Sequence, residues 1–318
     1  MQAIDHDVLQ RLHEWLDQSA GAWLCTVVRT LGSSPRPVGS IVAIGDSGQQ
    51  AGTVSGGCVE EDLLGRLAGG EFSGRLPELV EYGLDAADNE RLGLPCGGKL
   101  TLLLQRLGSR DLPWVSGTLD ALEDRRCVER RVDLASGATA LVPIAHYCAL
   151  RLSATELVQC FGPRMRLLLV GAGQLARSLS ELALAMDYEV LVTDPRQEAL
   201  DHWAGPDVEL IQGMPDDVVR ERASDQRAII ITLTHDPRID DMALMEALGS
   251  DAWYVGALGS EKTTQNRLER LRQLALTPAQ LGRLHAPVGL PIGSKTPLEI
   301  AVAIMAELTQ LQRRSPTR

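Results

Sequence analysis

The sequence is short of positive charge. Its 318 residues carry 31 Lys and Arg against 42 Asp and Glu, a net charge of −11, and the pI is near 5.1. Sequence-independent nucleic-acid binding needs a basic footprint, so nucleic acid is excluded as an expected partner. The same deficit gives no reason to expect attachment to an anionic membrane. No stretch approaches the roughly 20 apolar residues that a membrane helix requires. The opening residues, MQAIDHDVLQRLHEWLDQ, carry acids and no apolar run, unlike a signal peptide. Together these absences predict a cytoplasmic protein with no membrane partner. No C-x-x-C pair occurs, which argues against a zinc ribbon or a thioredoxin-type centre, and no metal set is suggested by protein ligand spacing. The six cysteines, Cys25, Cys58, Cys96, Cys127, Cys148 and Cys160, are scattered. In a reducing compartment they are expected to be thiols rather than a disulfide framework. Internal repeats and low-complexity tracts are absent as well.

What is present is an ordinary globular composition, 44% hydrophobic and 23% charged, in a chain long enough for two cores. The pattern changes near residue 163. From there, short apolar runs alternate with helical periodicity. RLLLV precedes a glycine turn and a helix, YEVLVT follows, and RAIIITLT (227–234) and AWYVGALG (252–259) are further strands separated by helices near 215–223, 239–249 and 260–274. Such alternation predicts an α/β fold with a parallel sheet flanked by helices on both faces. PLEIAVAIMAELTQLQRR (297–314) closes the chain as an amphipathic helix with proline in its first turn. The earlier half is less regular. A helix is expected over 5–18, strands over 22–30, 39–45, 50–55 and 99–107, and a helix over 59–70. Residues 109–162 are read as connecting structure around a hairpin turning at Ala135–Gly137, with Arg125, Arg126, Arg130 and Arg131 on a solvated strand face. The expected organisation is therefore an N-terminal α/β domain, 1–162, and a Rossmann-like domain, 163–318.

GAGQLA (171–176) carries G-x-G-x-x-A between a strand and a helix. In a dinucleotide-binding turn the first glycine permits the tight bend, and the second lets a pyrophosphate approach the backbone. The third small residue lets helix pack on strand. Gly171, Gly173 and Ala176 occupy those places, and Gln174 begins the helix whose free N–H groups favour an anion. Asp194 ends the next strand, where an acid hydrogen-bonds a ribose hydroxyl in such sites. Arg196, two residues on, suits a 2′-phosphate instead. THDPRID (234–240) follows the strongest strand, and His235 there is a candidate acid or base. The plainer explanations are a glycine turn serving only packing and a loop histidine bonded to its neighbours.

The first half presents two cysteines against glycine pairs. GTVSGGCVEED places Gly56 and Gly57 before Cys58 at a helix start, where the helix dipole favours a thiolate. LPCGGK sets Cys96 beside Gly97 and Gly98. TLGSSPRPVGS adds Arg36, whose planar fork suits phosphate or carboxylate. Cys25, Cys127, Cys148 and Cys160 are read as small buried residues. Glu60 and Glu61 stand in the first turn, where they complement the helix dipole.

Taken in order, GSSPRPVGS, GTVSGGCVEED, LPCGGK, LLLVGAGQLA, TDPR, THDP, YVGALGS and HAPVGLPIGSKTPLEIAVAI resemble the XdhC/CoxI accessory proteins over nearly the whole chain. The resemblance implies a chaperone that binds the molybdenum cofactor, as molybdopterin or its dinucleotide form. It implies that the cofactor is held while a cysteine desulfurase supplies the terminal sulfur, and is then inserted into an apo molybdenum hydroxylase such as xanthine dehydrogenase. It also implies a homodimer. On the same basis Cys58 and Cys96 are the candidates for cofactor or sulfur contact, Arg36 is the first-loop arginine, and Gly171, Gly173 and Asp194 form the nucleotide-type turn. Many relatives carry histidine where this chain has Gln174, which cannot titrate. Two alternatives stay open at this level. One is an NAD(P)-dependent oxidoreductase built on the second half. The other is a nucleotide-binding redox sensor in which Cys58 and Cys96 form a disulfide. Whether the chain is an enzyme is left open by the sequence.

Overall fold

The computed structural model describes residues 3–32, 36–72, 74–83, 90, 92, 98–274 and 276–314. The chain divides into two compact units, Met1–Pro163 and Arg164–Pro316.

In the first unit, α1 (Ala3–Asp17) leads into β1 (Ala22–Leu31), β2 (Ile41–Gly45), β3 (Gln50–Gly52), α2 (Cys58–Ala68), β4 (Glu78–Tyr82) and β5 (Lys99–Leu107). The five strands pair antiparallel in the order β3-β2-β1-β5-β4. β1 is central, and because α1 packs on one face of the sheet and α2 on the other, AWLCTVV is buried without alternation and apolar except for Thr26. On one face α1 buries Val8, Leu9, Leu12 and Leu16 against Leu24, Ile41 and Leu107. Each of these side chains contributes about 2 kcal/mol by leaving water. On the other face Val59 and Leu63 of α2 pack on Cys25, Val27, Val42 and Leu102. Cys25 is a buried thiol, and burial alone pushes its pKa well above the ordinary value.

Residues 109–162, read from sequence as connecting structure, contain α3 (Leu112–Glu123) and a second antiparallel sheet. That sheet comprises β6 (Cys127–Asp133), β7 (Thr139–Ile144), β8 (Arg151–Leu152) and β9 (Glu156–Phe161), in the order β7-β6-β9-β8. The expected hairpin is present, and Gly137 turns it with φ +74°. The solvated-face expectation fails for Arg130, which is fully buried. The reason is the period of two along β6. Arg130 lies on the same face as Val128 and Val132, and all three point inward. Its guanidinium sits 4.7 Å from the Trp114 ring, donates to Gln159 Oε1 at 3.0 Å and also donates to Gln105 Oε1. Burial pushes its pKa down to about 9, opposed by the charge of Asp111.

The cysteine expectation is also corrected. Cys148 and Cys160 form a disulfide. Cys148 precedes β8, and the β8–β9 hairpin folds it back beside Cys160, with 5.8 Å between the Cα atoms. That separation lies within the range a disulfide can bridge. Spacing in the sequence carries no sign of the hairpin that closes it. Ligand atoms of Glu129 and these two sulfurs lie within 4.8 Å of one another, but the sulfurs are bonded to each other.

In the second unit the alternation predicted from sequence appears as β10 (Arg166–Val170), α4 (Gln174–Ala185), β11 (Glu189–Thr193), α5 (Gln197–Asp201), β12 (Glu209–Ile211), α6 (Pro215–Arg222) and β13 (Ala228–Thr232). It continues as α7 (Pro237–Gly249), β14 (Tyr254–Ala257), α8 (Glu261–Gln273), α9 (Pro278–Leu281), β15 (Leu284–His285) and α10 (Pro297–Arg314). The sheet is parallel, in the order β12-β11-β10-β13-β14-β15. Strands change direction of progression at β10, the switch point at which ligands of such sheets bind. Helices cover both faces. Leu167, Leu169, Ile229 and Ile231 pack on α4 and α10, while Leu168, Val170, Ile230 and Val255 pack on α6, α7 and α8. Ser260 caps α8 by accepting the Thr263 N–H at 3.2 Å. No helix among the described residues is long and apolar enough to cross a membrane.

Candidate functional site

Each unit contributes a candidate site. In the first, residues 53–57 link β3 to α2 and present Cys58 as the first residue of that helix, with its thiol exposed. Gly56 and Gly57 have φ of +95° and +148°, a region that residues with a Cβ avoid, and open space lies where a Cβ would stand on either. The glycines are thus required by backbone conformation, and the surface above them is clear.

The loop owes its shape to Glu60. This buried carboxylate accepts the backbone N–H groups of Val54 at 2.7 Å, Ser55 at 2.9 Å, Gly57 at 3.0 Å and Gly56 at 3.3 Å. It also accepts the hydroxyl of Thr53 at 2.5 Å and that of Ser55. Ser55 Oγ in turn accepts the Val59 N–H at 3.3 Å, which ties the loop to the helix start. Burial raises the Glu60 pKa, but the hydrogen bonds from Ser55, Thr53 and the backbone outweigh it and hold the group at about 2. From sequence Glu60 is one of two acids complementing a helix dipole. The structure makes it the anchor around which the Cys58 loop is wrapped. The signal was the Thr-x-Ser spacing just upstream of the helix, which supplies two hydroxyls at reach of the third helical position.

Arg36 lies in the loop between β1 and β2, half-buried. Gly98 is buried immediately before β5. Cys96 and Gly97 lie outside the described residues.

In the second unit a cleft of about 810 Å³ opens at the carboxyl ends of β10, β11 and β13. Its wall includes Gly171, Gly173, Gln174, Arg196, His235 and Lys295. Gly171 has φ +112°, and a Cβ there would stand 2.8 Å from Thr234 Cγ2 and close to the backbone of Leu233. Close approach between two strand ends therefore demands glycine. Gly173 differs. Its φ is −92°, and an added Cβ would meet nothing within 4 Å. Protein packing does not require glycine there, and the space it leaves faces the cleft. Gln174 and His235 are exposed in the same wall. His235 makes no side-chain hydrogen bond among the described residues, so it is not the bonded loop histidine that one reading of the sequence allowed.

Asp194 does not face the cleft. Its side chain is 0% exposed, and its oxygens accept the Ala172 N–H at 3.1 Å, the Arg196 N–H at 3.0 Å, Arg196 Nε at 2.9 Å and Arg196 Nη2 at 2.8 Å. Burial raises its pKa, and these bonds lower it further than burial raises it. The ribose-binding role expected of Asp194 is therefore not offered by this geometry. The carboxylate holds the glycine turn and aims Arg196, because the residue two positions on folds back over it. Behind the wall, Asp240 accepts Thr234 Oγ1 at 2.7 Å and Arg267 Nη2 at 2.9 Å, and Arg267 Nη1 donates to the Leu258 carbonyl at 3.0 Å. Burial pushes the Asp240 pKa up. This buried pair fixes two of the cleft's loops and was missed from sequence, where IDD and RLERLR read only as parts of two helices.

The XdhC Rossmann domain family matches residues 167–308, and the XdhC and CoxI family matches residues 15–83. The chain belongs to the XdhC/CoxI family. Relatives of this XdhC/CoxI protein align along nearly its whole length. The molybdenum cofactor insertion chaperone PaoD of Escherichia coli is 28% identical over 309 residues, covering 97% of this chain and 89% of PaoD. A probable xanthine dehydrogenase subunit of Bacillus subtilis is 26% identical over 335 residues, covering 97% of this chain and 98% of the relative. A crystal structure of a xanthine dehydrogenase from Bacillus halodurans superposes with a TM-score of 0.73 at 27% identity, covering 99% of this chain and 97% of that one.

Proposed function

We propose that this protein is a molybdenum cofactor chaperone, which holds the cofactor for sulfuration and delivers it to a molybdenum hydroxylase such as xanthine dehydrogenase. The reading rests on similarity to PaoD along nearly the full length of both chains. The observation that carries it in this molecule is the exposed Cys58 thiol on a glycine-set loop anchored by buried Glu60. A thiolate is a suitable ligand for a soft metal–sulfur centre and a suitable carrier for a transferred sulfur. The cargo supplies molybdenum, a dithiolene and a phosphate. Cys58 would contact its sulfur-bearing end, and Cys96 is proposed for the same role. The cleft of the second unit is proposed to bind a nucleotide, with phosphate on the N–H groups at the start of α4 beside Gly173. The chaperone would act in the cytoplasm as a homodimer and receive sulfur from a cysteine desulfurase.

An oxidoreductase would need a positioned acid–base pair against the cleft. Among the described residues His235 has no carboxylate partner, and the other acid of that loop, Asp236, is closed on Arg238. The chaperone reading is therefore preferred.

The test is to purify the protein from cells that make the cofactor, then measure bound pterin and molybdenum and the activation of apo xanthine dehydrogenase. Stoichiometric pterin, lost in C58S, is expected. Absence of pterin from the reduced wild-type protein would overturn the proposal.

A further inference from the structure

The tripeptide Asp-Pro-Arg occurs twice, as residues 194–196 and 236–238. The first follows β11 and the second follows β13, the strands on either side of β10. The two tripeptides therefore flank the Gly171–Gly173 turn that follows β10, and both arginines line the cleft.

Both are built alike. In the first, Asp194 Oδ1 accepts the Arg196 N–H at 3.0 Å and Nε at 2.9 Å, and Oδ2 accepts Nη2 at 2.8 Å. In the second, Asp236 Oδ1 accepts the Arg238 N–H at 2.9 Å and Nε at 3.0 Å, and Oδ2 accepts Nη2 at 2.7 Å. Proline between the two residues fixes its own φ and lacks an N–H, so the arginine turns back over the aspartate. Each aspartate thus grips one edge of a guanidinium. The far edge, Nη1, has no hydrogen-bond partner among the described residues in either arginine.

The two clamps differ in burial. Asp194 is wholly enclosed, whereas the Arg196 side chain is 60% exposed. A free ribose diol is recognised by a carboxylate with an oxygen to spare. Asp194 has none, because its second oxygen also takes the Ala172 N–H. What stands at that position instead is a pre-oriented guanidinium fork, the geometry that suits a phosphate. Asp236 and Glu198 also act on Arg196. Attraction there comes from directed donors, with Lys295 adding positive charge to the cleft wall.

We propose that this cleft takes a dinucleotide whose ribose is phosphorylated, with pyrophosphate at the Gly173 turn and the additional phosphate on Arg196, in preference to one with an unmodified ribose. The inference rests on the reading of the cleft as a nucleotide site. It names Arg196 as the residue that selects the ligand, held in place by Asp194.

The test is calorimetric titration of the full chain with NADP+ and with NAD+, at fixed salt. NADP+ is expected to bind at least tenfold more tightly. R196Q should lower NADP+ affinity tenfold or more and change NAD+ affinity less than twofold. Since R196Q leaves Asp194 buried without its partner, the double variant D194N/R196Q, which removes the pair together, should repeat the loss. Equal affinity for the two nucleotides, or an unchanged preference in both variants, overturns the inference while leaving the nucleotide reading standing. Failure of both nucleotides to bind overturns both. The pterin measurement on the same preparation tests the chaperone reading separately.

Discussion

Glu60 accepts the backbone N–H of Gly57 at 3.0 Å, and this bond fixes the residue directly before Cys58. The same carboxylate gathers three more backbone N–H groups and two hydroxyls. Replacing it by glutamine leaves one acceptor oxygen and turns an amide toward donors. E60Q is expected to cost about 2–3 kcal/mol in urea denaturation. It should also change the rate at which Cys58 is alkylated by iodoacetamide. Wild-type stability in E60Q would mean that the loop stands without its anchor.

The same group sets an acid limit. Its pKa is lowered from 4.5 to about 2 in the folded chain. A carboxyl held low stabilises the fold above its unfolded pKa, and that stability is lost as pH falls through the folded value. The contribution, on the order of 3 kcal/mol, should disappear between about pH 4.5 and pH 2. Thermal melts across that window should show a steeper decline for the wild type than for E60Q. Parallel declines would assign the acid sensitivity elsewhere.

The two glycines of the second-unit turn should separate under substitution. G171A forces a Cβ to within 2.8 Å of Thr234 at φ +112°, and a loss of about 2 kcal/mol is expected in denaturation. G173A meets open space, so stability should stay within about 0.5 kcal/mol. Its effect belongs to the ligand, and nucleotide affinity measured by calorimetry should fall at least tenfold. A G173A protein that binds as well as wild type would remove the phosphate from that turn.

Arg130 is a buried cation held by the carbonyl oxygens of Gln105 and Gln159, and Gln159 passes the contact on to the Gly39 carbonyl at 2.9 Å. R130A leaves a cavity and two unpaired amide oxygens. A loss of about 3 kcal/mol is expected from chemical denaturation of the full chain. A substitution tolerated without cost would return Arg130 to the strand surface.

Alkylation before and after reduction checks the joined cysteines. Cys148 and Cys160 should resist labelling in the unfolded, unreduced chain and react once a reductant is added. Mass spectrometry of the labelled peptides reads the result, and labelling of both without reductant would show them as thiols.

The second unit was largely legible because its information is local. The four central strands there, β10, β11, β13 and β14, are mostly apolar runs of four or five residues closed by a turn, the long helices between them carry their own period, and parallel pairing follows from that alternation. The Ser260 cap and the glycine turn need only their neighbours. Residues 109–162 were less legible because their strands pair at a distance. Arg130 lies opposite Gln159 and Leu141, and only that register places it under Trp114. The inward face could still have been read from Val128, Arg130 and Val132, which share the period of two. The Cys148–Cys160 pairing had no such signal.

By itself the sequence determined the alternation of the second unit, the turn at Gly171–Gly173 and the helix start at Cys58, since each depends on φ freedom and periodicity along a few residues. The tertiary structure alone decided where the charged groups point. Asp194 turned inward to hold Arg196 and Ala172, and Glu60 became the buried centre of a loop. A carboxylate goes to whichever arrangement supplies enough donors to replace its water, and those donors come together only when the chain has folded.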